Sequence, residues 1–174
     1  MNILKILGCI LILAAPTIGG YIYSEGFKKR VVQLNEFQRC LTQLENEILF
    51  THTPLTEVFF NISRKSKYPI NEIFEMASDL LMTNKVEDVY EAINKALESK
   101  KDALNLKKED LDIILDLSKT LGESDVEGQK SVFRLTRENL KKQIQLAENI
   151  MKKNVKLYRY LGFSVGAALV IMVV

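Results

Sequence analysis

Three carboxylates at alternate positions, Glu123, Asp125 and Glu127, stand between Gly122 and Gly128 in the stretch LGESDVEGQK, residues 121–130. Alternating oxygen ligands are the raw material of a calcium loop, and glycines at a helix start are that of a phosphate loop. Neither chemistry is complete. A calcium loop needs several more oxygen donors, and a phosphate loop is basic or glycine-rich rather than acidic. A plainer reading uses every residue. Gly122 sits where a helix ends on a left-handed residue, and Ser124 with Glu127 three positions later has the form of a capping box. Asp125 and Glu127 then lie in a first helical turn, where the backbone dipole favours a carboxylate by ~0.3 to 1 kcal/mol. The stretch reads as a corner between two helices, with no metal.

The remaining reactive side chains are few. His52 is the single histidine and precedes Pro54 in THTPLTE, so it reads as a polar loop residue rather than a general base. Cys9 and Cys40 are far apart, and the first lies in an apolar run, which leaves neither a disulfide framework nor a zinc spacing. Glu45 and Glu47 are two residues apart, so on a helix they cannot face the same way and are not a carboxylate dyad. Glu45 lies beside Leu41, Leu44 and Ile48. It is expected to bond groups near the corner at Thr53, Pro54 and Leu55 or near the Asp125 corner. No glycine loop for nucleotides occurs, no cofactor is implied, and the chain is expected not to be an enzyme.

The elements that carry these residues are helices. With three prolines, eight glycines and no tryptophan among 174 residues, 47% of them hydrophobic, composition predicts an all-α bundle of about six helices. A formal net charge of +2, with acids and bases interspersed, excludes nucleic acid as a partner. Leu34, Phe37, Leu41, Leu44 and Ile48 step by three and four, an amphipathic stripe able to run on from the residues before it. Thr53 is expected as N-cap and Pro54 at the first position of a second helix through Phe59, Phe60 and Ile62. The interruption KSKYP precedes a third helix over 71–82, with Ile73, Phe74, Ala77, Leu80 and Leu81 inward. A fourth is expected over 86–97 and a fifth over 111–121. From Asp125 no helix breaker follows. Val132, Leu135, Leu140, Ile144, Ala147, Met151, Val155 and Tyr158 predict one helix of ~50 residues and ~75 Å.

Both ends of the chain are apolar. Residues 6–24 carry no charge over nineteen positions, which at ~1.5 Å each nearly spans a ~30 Å hydrocarbon core. A lipoprotein signal would place its apolar region ahead of Cys9, and here it follows. A cleaved signal cut after Gly19 or Gly20 would carry positive charge ahead of the run. Here only Lys5 and the amino terminus lie ahead of it, against Lys28, Lys29 and Arg30 behind. The second run, 161–174, reaches ~21 Å and is helped by Tyr158 and Tyr160 at the interface. Lys152, Lys153, Lys156 and Arg159 precede it. Basic flanks on the inner side of both runs, with Tyr21 and Tyr23 at the same boundary, orient the middle of the chain to the cytoplasm. The expected organisation is a transmembrane segment over 1–24, a cytoplasmic helical bundle over 25–159 and a second transmembrane segment over 160–174. Two long helices would form a hairpin rooted in the membrane, its tip wrapped by shorter helices.

Two segments together resemble a known family. Leu44, Glu45, Glu47, Ile48, Thr53, Pro54, Leu55 and Glu57 form the pattern LE.EI....TPL.E, and Leu121, Gly122, Ser124, Asp125 and Gln129 form LG.SD...Q. Their order and spacing, with both apolar ends, resemble the stage III sporulation protein AB family of endospore-forming bacteria. The resemblance implies similarity to the cytoplasmic domain of platform proteins in type II secretion and type IV pilus machines. It further implies membership of a channel complex between mother cell and forespore, in the mother-cell membrane. The implied partners are a cytoplasmic secretion-type ATPase, other membrane subunits of that complex and membrane lipid, with a homo-oligomer left open. The signature residues are then partner-binding or structural, and any ATP chemistry belongs to the partner. The rival class is a membrane-anchored sensor or signalling hairpin. Such a hairpin would keep its stripe unbroken, whereas four short helical segments interrupt this one.

Overall fold

Turn chemistry decides where each short helix begins and ends. The computed structural model describes residues 3–51, 53–121 and 126–173. Among them lie six helices and no strand: α1 (Ile3–Leu49), α2 (Leu55–Lys65), α3 (Ile70–Met82), α4 (Val89–Ser99), α5 (Lys108–Thr120) and α6 (Val126–Val173). The all-α expectation holds, and both long helices are continuous, α6 with 48 residues.

α3 ends in a Schellman motif. Asn84 takes the left-handed conformation at φ 49°. Its N–H donates to the Leu81 carbonyl at 3.2 Å, and that of Lys85 to Leu80 at 3.0 Å. α4 starts at Val89 rather than at the expected residue 86. Asp88 caps it, its carboxylate accepting from the Glu91 N–H at 2.7 Å, and the Glu91 carboxylate accepts in return from the Glu87 N–H at 2.8 Å. The start of α2 also differs from expectation. Pro54, not Thr53, is the N-cap: its ψ of 140° is not helical, and its carbonyl takes the first helical bond from Val58 at 3.0 Å. The Thr53 hydroxyl is turned to the Thr51 hydroxyl, 2.9 Å away. α5 is closed by Leu121 as its C-cap, and α6 opens at Val126. Gly122, Ser124 and Asp125, and with them the capping-box expectation, lie outside the described residues, as does His52.

The chain divides into two units. One comprises Val32–Gln145 and the other Met1–Val31 with Leu146–Val174. In the larger unit α2 packs on α3, α3 on α4 and α4 on α5. Leu34, Phe37, Leu41 and Leu44 of α1 are buried there as the stripe predicts, while Leu49 is buried and Ile48 only half-buried. Phe74 of α3 ties three helices together, its ring centre 6.2 Å from that of Phe37 and 5.6 Å from that of Phe59 on α2. Ile73 and Ala77 are buried beside it, but Leu80 and Leu81, in the last turn of α3, are half-buried.

The stripe expected on α6 is shifted in this unit. Leu135 is 58% exposed and Val132 half-buried, whereas Phe133 and Thr136 are buried. Phe133, Thr136, Leu140, Ile144 and Ala147 keep helical spacing, while the step from Leu135 to Leu140 is five residues and breaks it.

In the smaller unit Tyr23 and Phe27 of α1 meet Tyr158 of α6, at ring-centre distances of 4.6 and 5.9 Å. Ser24 is fully buried and its hydroxyl donates to the Tyr21 carbonyl at 2.7 Å. No helix among the described residues is long and apolar enough to cross a membrane.

Candidate functional site

The apolar stripe of α1 has a polar twin one residue behind it. Gln33, Glu36, Cys40, Gln43 and Glu47 step by three, four, three and four, so they share a face about 100° from the stripe that enters the core. Gln33, Glu36 and Cys40 are buried, and Gln43 and Glu47 half-buried. Buried polar groups demand partners. Gln33, Glu36 and Cys40 find them in the connections between the short helices, and Gln43 and Glu47 in each other and in Asn61 of α2.

Gln33 holds the α4–α5 connection with both ends of its amide. Its Nε2 donates to the Ala103 carbonyl at 3.0 Å, and its Oε1 accepts from the Asn105 N–H at 2.8 Å. The side chain thus mimics one rung of a sheet ladder against backbone that has no helix of its own.

Glu36 and Arg39 hold the α2–α3 turn. Glu36 Oε1 accepts from the Lys67 N–H at 2.9 Å and from Arg39 Nη2 at 2.5 Å, and the same Arg39 nitrogen donates to the Lys65 carbonyl at 2.7 Å. The Arg39 hydrogen bond holds the Glu36 carboxyl below its ordinary pKa of 4.5, with the Lys67 N–H acting in the same direction against the cost of burial. Glu36 is therefore ionised and saturated, which is a staple and not a base. Cys40 lies alongside, its Sγ 3.3 Å from the Ser66 Oγ. Burial pushes its thiol up to about 11, so it stays protonated and is no nucleophile.

Glu47 holds the α1–α2 corner. Its carbonyl accepts from the Thr53 N–H at 3.1 Å and from the Thr51 hydroxyl at 2.6 Å. Its carboxylate accepts from Gln43 at 2.7 Å and from Asn61 of α2 at 3.1 Å. Of the signature residues, Glu47, Thr53, Pro54 and Leu55 thus form one built corner, with Thr53 and Leu55 half-buried and Pro54 exposed. Glu45 departs from expectation. It pairs with Arg137 of α6 instead of either corner. Leu41 and Leu44 share a void with Thr136 and Leu140, so the flank of the stripe on which Glu45 stands faces the next α6 side chain. Gln129 is half-buried in the opening turns of α6 and Leu121 of the same motif is buried, while Gly122, Ser124 and Asp125 are outside the described residues.

No group of three metal-ligating side chains occurs among the described residues. The void between Phe37, Leu44, Phe59, Phe74 and Leu140 measures about 30 Å³, room for about two waters rather than a substrate. Sequence reasoning passed over Gln33, Glu36 and Arg39. The signal was present in the second set of three-and-four steps, which polar residue types disguise as solvated surface.

The sequence model of the stage III sporulation protein AB family matches residues 5–174, nearly the entire chain. The chain belongs to the stage III sporulation protein AB family. It is 29% identical over 169 residues to stage III sporulation protein AB of Bacillus subtilis (strain 168), covering 97% of this chain and 98% of that one. A solved structure of a stage III sporulation protein AB matches it with a TM-score of 0.65 and 27% identity, over 71% of this chain and 96% of the other. The family carries the name of a sporulation protein and not of an enzyme, and its all-helical fold is shared by the solved relative. Both signature segments fall inside the family match, and the more completely described of the two is the stapled corner at Glu47.

Proposed function

We propose that this chain is a non-catalytic platform subunit of a secretion-like channel complex acting in sporulation. Its apolar ends, 1–24 and 160–174, anchor it in the mother-cell membrane facing the forespore. Its helical domain stands in the cytoplasm and docks a secretion-type ATPase together with other membrane subunits. Membership of the sporulation family supports the process. The single observation that carries the rest is the pairing of two terminal apolar runs, each with its basic residues on the inner side, around a domain whose polar side chains are consumed in holding corners. A domain built in that way offers a rigid surface and no reactive centre.

Fractionation of sporulating cells, followed by protease treatment from either side of the membrane, tests the topology. The chain should sediment with membranes, and residues 25–159 should be cut only from the cytoplasmic side. Recovery of the intact chain in the soluble fraction would sink the anchoring. The purified chain should turn over no ATP, yet retain a secretion-type ATPase in a pull-down. Intrinsic hydrolysis would overturn the non-catalytic reading.

A further inference from the structure

Charge is divided unevenly between the two units. Residues 1–31 and 146–174 hold eight lysines and arginines against two glutamates, while residues 32–145 hold sixteen basic against twenty acidic side chains. The smaller unit is thus formally +6 in a chain of net +2. Apart from Lys5, its basic residues all lie within about six positions of Phe27 or Tyr158 along the chain. Tyr23 and Phe27 of α1 are one turn apart and both contact Tyr158 of α6. Lys29 follows Phe27 by two residues and Lys156 precedes Tyr158 by two, ~3 Å of rise in each case. Lys153 and Lys152 follow within one and two turns of Lys156, and Lys156 shares a helix face with both. Lys29, Lys152, Lys153 and Lys156 are exposed, and none forms an ion pair among the described residues. Lys28, by contrast, is engaged by Glu25 and lies 5.7 Å from the Tyr21 ring centre.

Four cations left without carboxylates, on two helices joined by aromatic rings, lie immediately inside the apolar runs. Tyrosines favour the headgroup level, and lysine stems lie along apolar surface while their ammonium groups reach polar partners. We propose that this collar of Lys29, Lys152, Lys153 and Lys156 binds the phosphates of anionic phospholipid headgroups. The inference rests on the membrane reading above and adds a lipid class to it. The collar selects phosphatidylglycerol-type lipid from a mixed bilayer through unpaired charge, and the Tyr23, Phe27 and Tyr158 cluster keeps the lysines of α1 and α6 at one level. Each lysine near the surface contributes about a fivefold preference.

The chain lacks tryptophan, and four of its six tyrosines, Tyr21, Tyr23, Tyr158 and Tyr160, lie in the smaller unit. Tyrosine emission therefore reports on the collar. The full chain is reconstituted in phosphatidylcholine vesicles containing either spin-labelled phosphatidylglycerol or spin-labelled phosphatidylcholine. The phosphatidylglycerol label should quench more strongly, and raised salt should erase the difference. A variant with all four lysines changed to Gln should lose the preference, and the corresponding four Lys→Arg changes should keep it. Equal quenching of a bilayer-inserted chain by both lipids overturns the collar alone. Survival of the preference in the Gln variant overturns its assignment to these lysines. Failure of the wild-type chain to float with either vesicle overturns the membrane reading and the collar with it.

Discussion

α1 and α6 run through two units that are held together by opposite means. In the larger unit the polar side chains of α1 are spent on partners: Gln33 and Glu36 bond the connections beside them, and Glu47 bonds Asn61 of α2. In the smaller unit the aromatic rings of Tyr23, Phe27 and Tyr158 make the contact, and Lys29, Lys152, Lys153 and Lys156 form no ion pair among the described residues. Each unit therefore meets other molecules by different means. A staple that has used its donors and acceptors offers shape. A lysine that has used nothing offers charge.

The comparison can be broken in the core first. Phe133 is fully buried in the larger unit, and Phe133→Ala should cost about 3 to 5 kcal/mol in denaturant unfolding of that unit. Tyr158→Ala should leave the same transition nearly in place. If both changes lower it equally, the two units do not unfold independently.

Gln33→Ala comes next. It orphans the Ala103 carbonyl and the Asn105 N–H, and should cost about 2 to 4 kcal/mol, with faster hydrogen exchange at Asn105. Unchanged exchange there would show that the α4–α5 connection is held by something other than Gln33.

A pH series sharpens the role of Glu36. Its folded pKa lies below the ordinary 4.5, so its contribution to stability is present above pH 4.5 and is lost as pH falls through the lower folded value. Glu36→Gln should therefore flatten the loss of stability on acidification below pH 4.5. An unaltered acid slope in that variant would remove Glu36 from the list of staples.

The smallest effect belongs to Glu45 and Arg137, the latter's side chain 44% exposed. A double-mutant cycle with Glu45→Ala and Arg137→Ala should return a coupling of about 1 kcal/mol or less. A markedly larger value would mean that this pair is a principal tie between α1 and α6 within the larger unit.

Much of the helix pattern was legible because period and punctuation are local. Gly122 and the acidic stretch after it marked the end of α5 within one residue. The sequence KSKYP marked the break before α3. Asn84 and Asp88 were equally readable as a left-handed C′ residue and an N-cap, and weighing them would have moved the start of α4 from 86 to 89. The site was less legible. Glu45 and Glu47 are both acids beside one apolar stripe, and only the placement of Asn61 and Arg137 distinguishes the residue that holds a corner from the one that pairs across helices.

From the sequence alone came the all-helical class, the continuity of α1 and α6, the four short helices between them and the family, because helical period, caps and motif spacing are set by neighbours along the chain. Which face of α6 is buried, and which polar residues of α1 serve as staples, was decided by the tertiary structure alone. Those choices depend on groups up to 92 positions away, as between Glu45 and Arg137. A hydrogen bond or a packed ring depends on separation in space, and distance along the chain does not enter its energy.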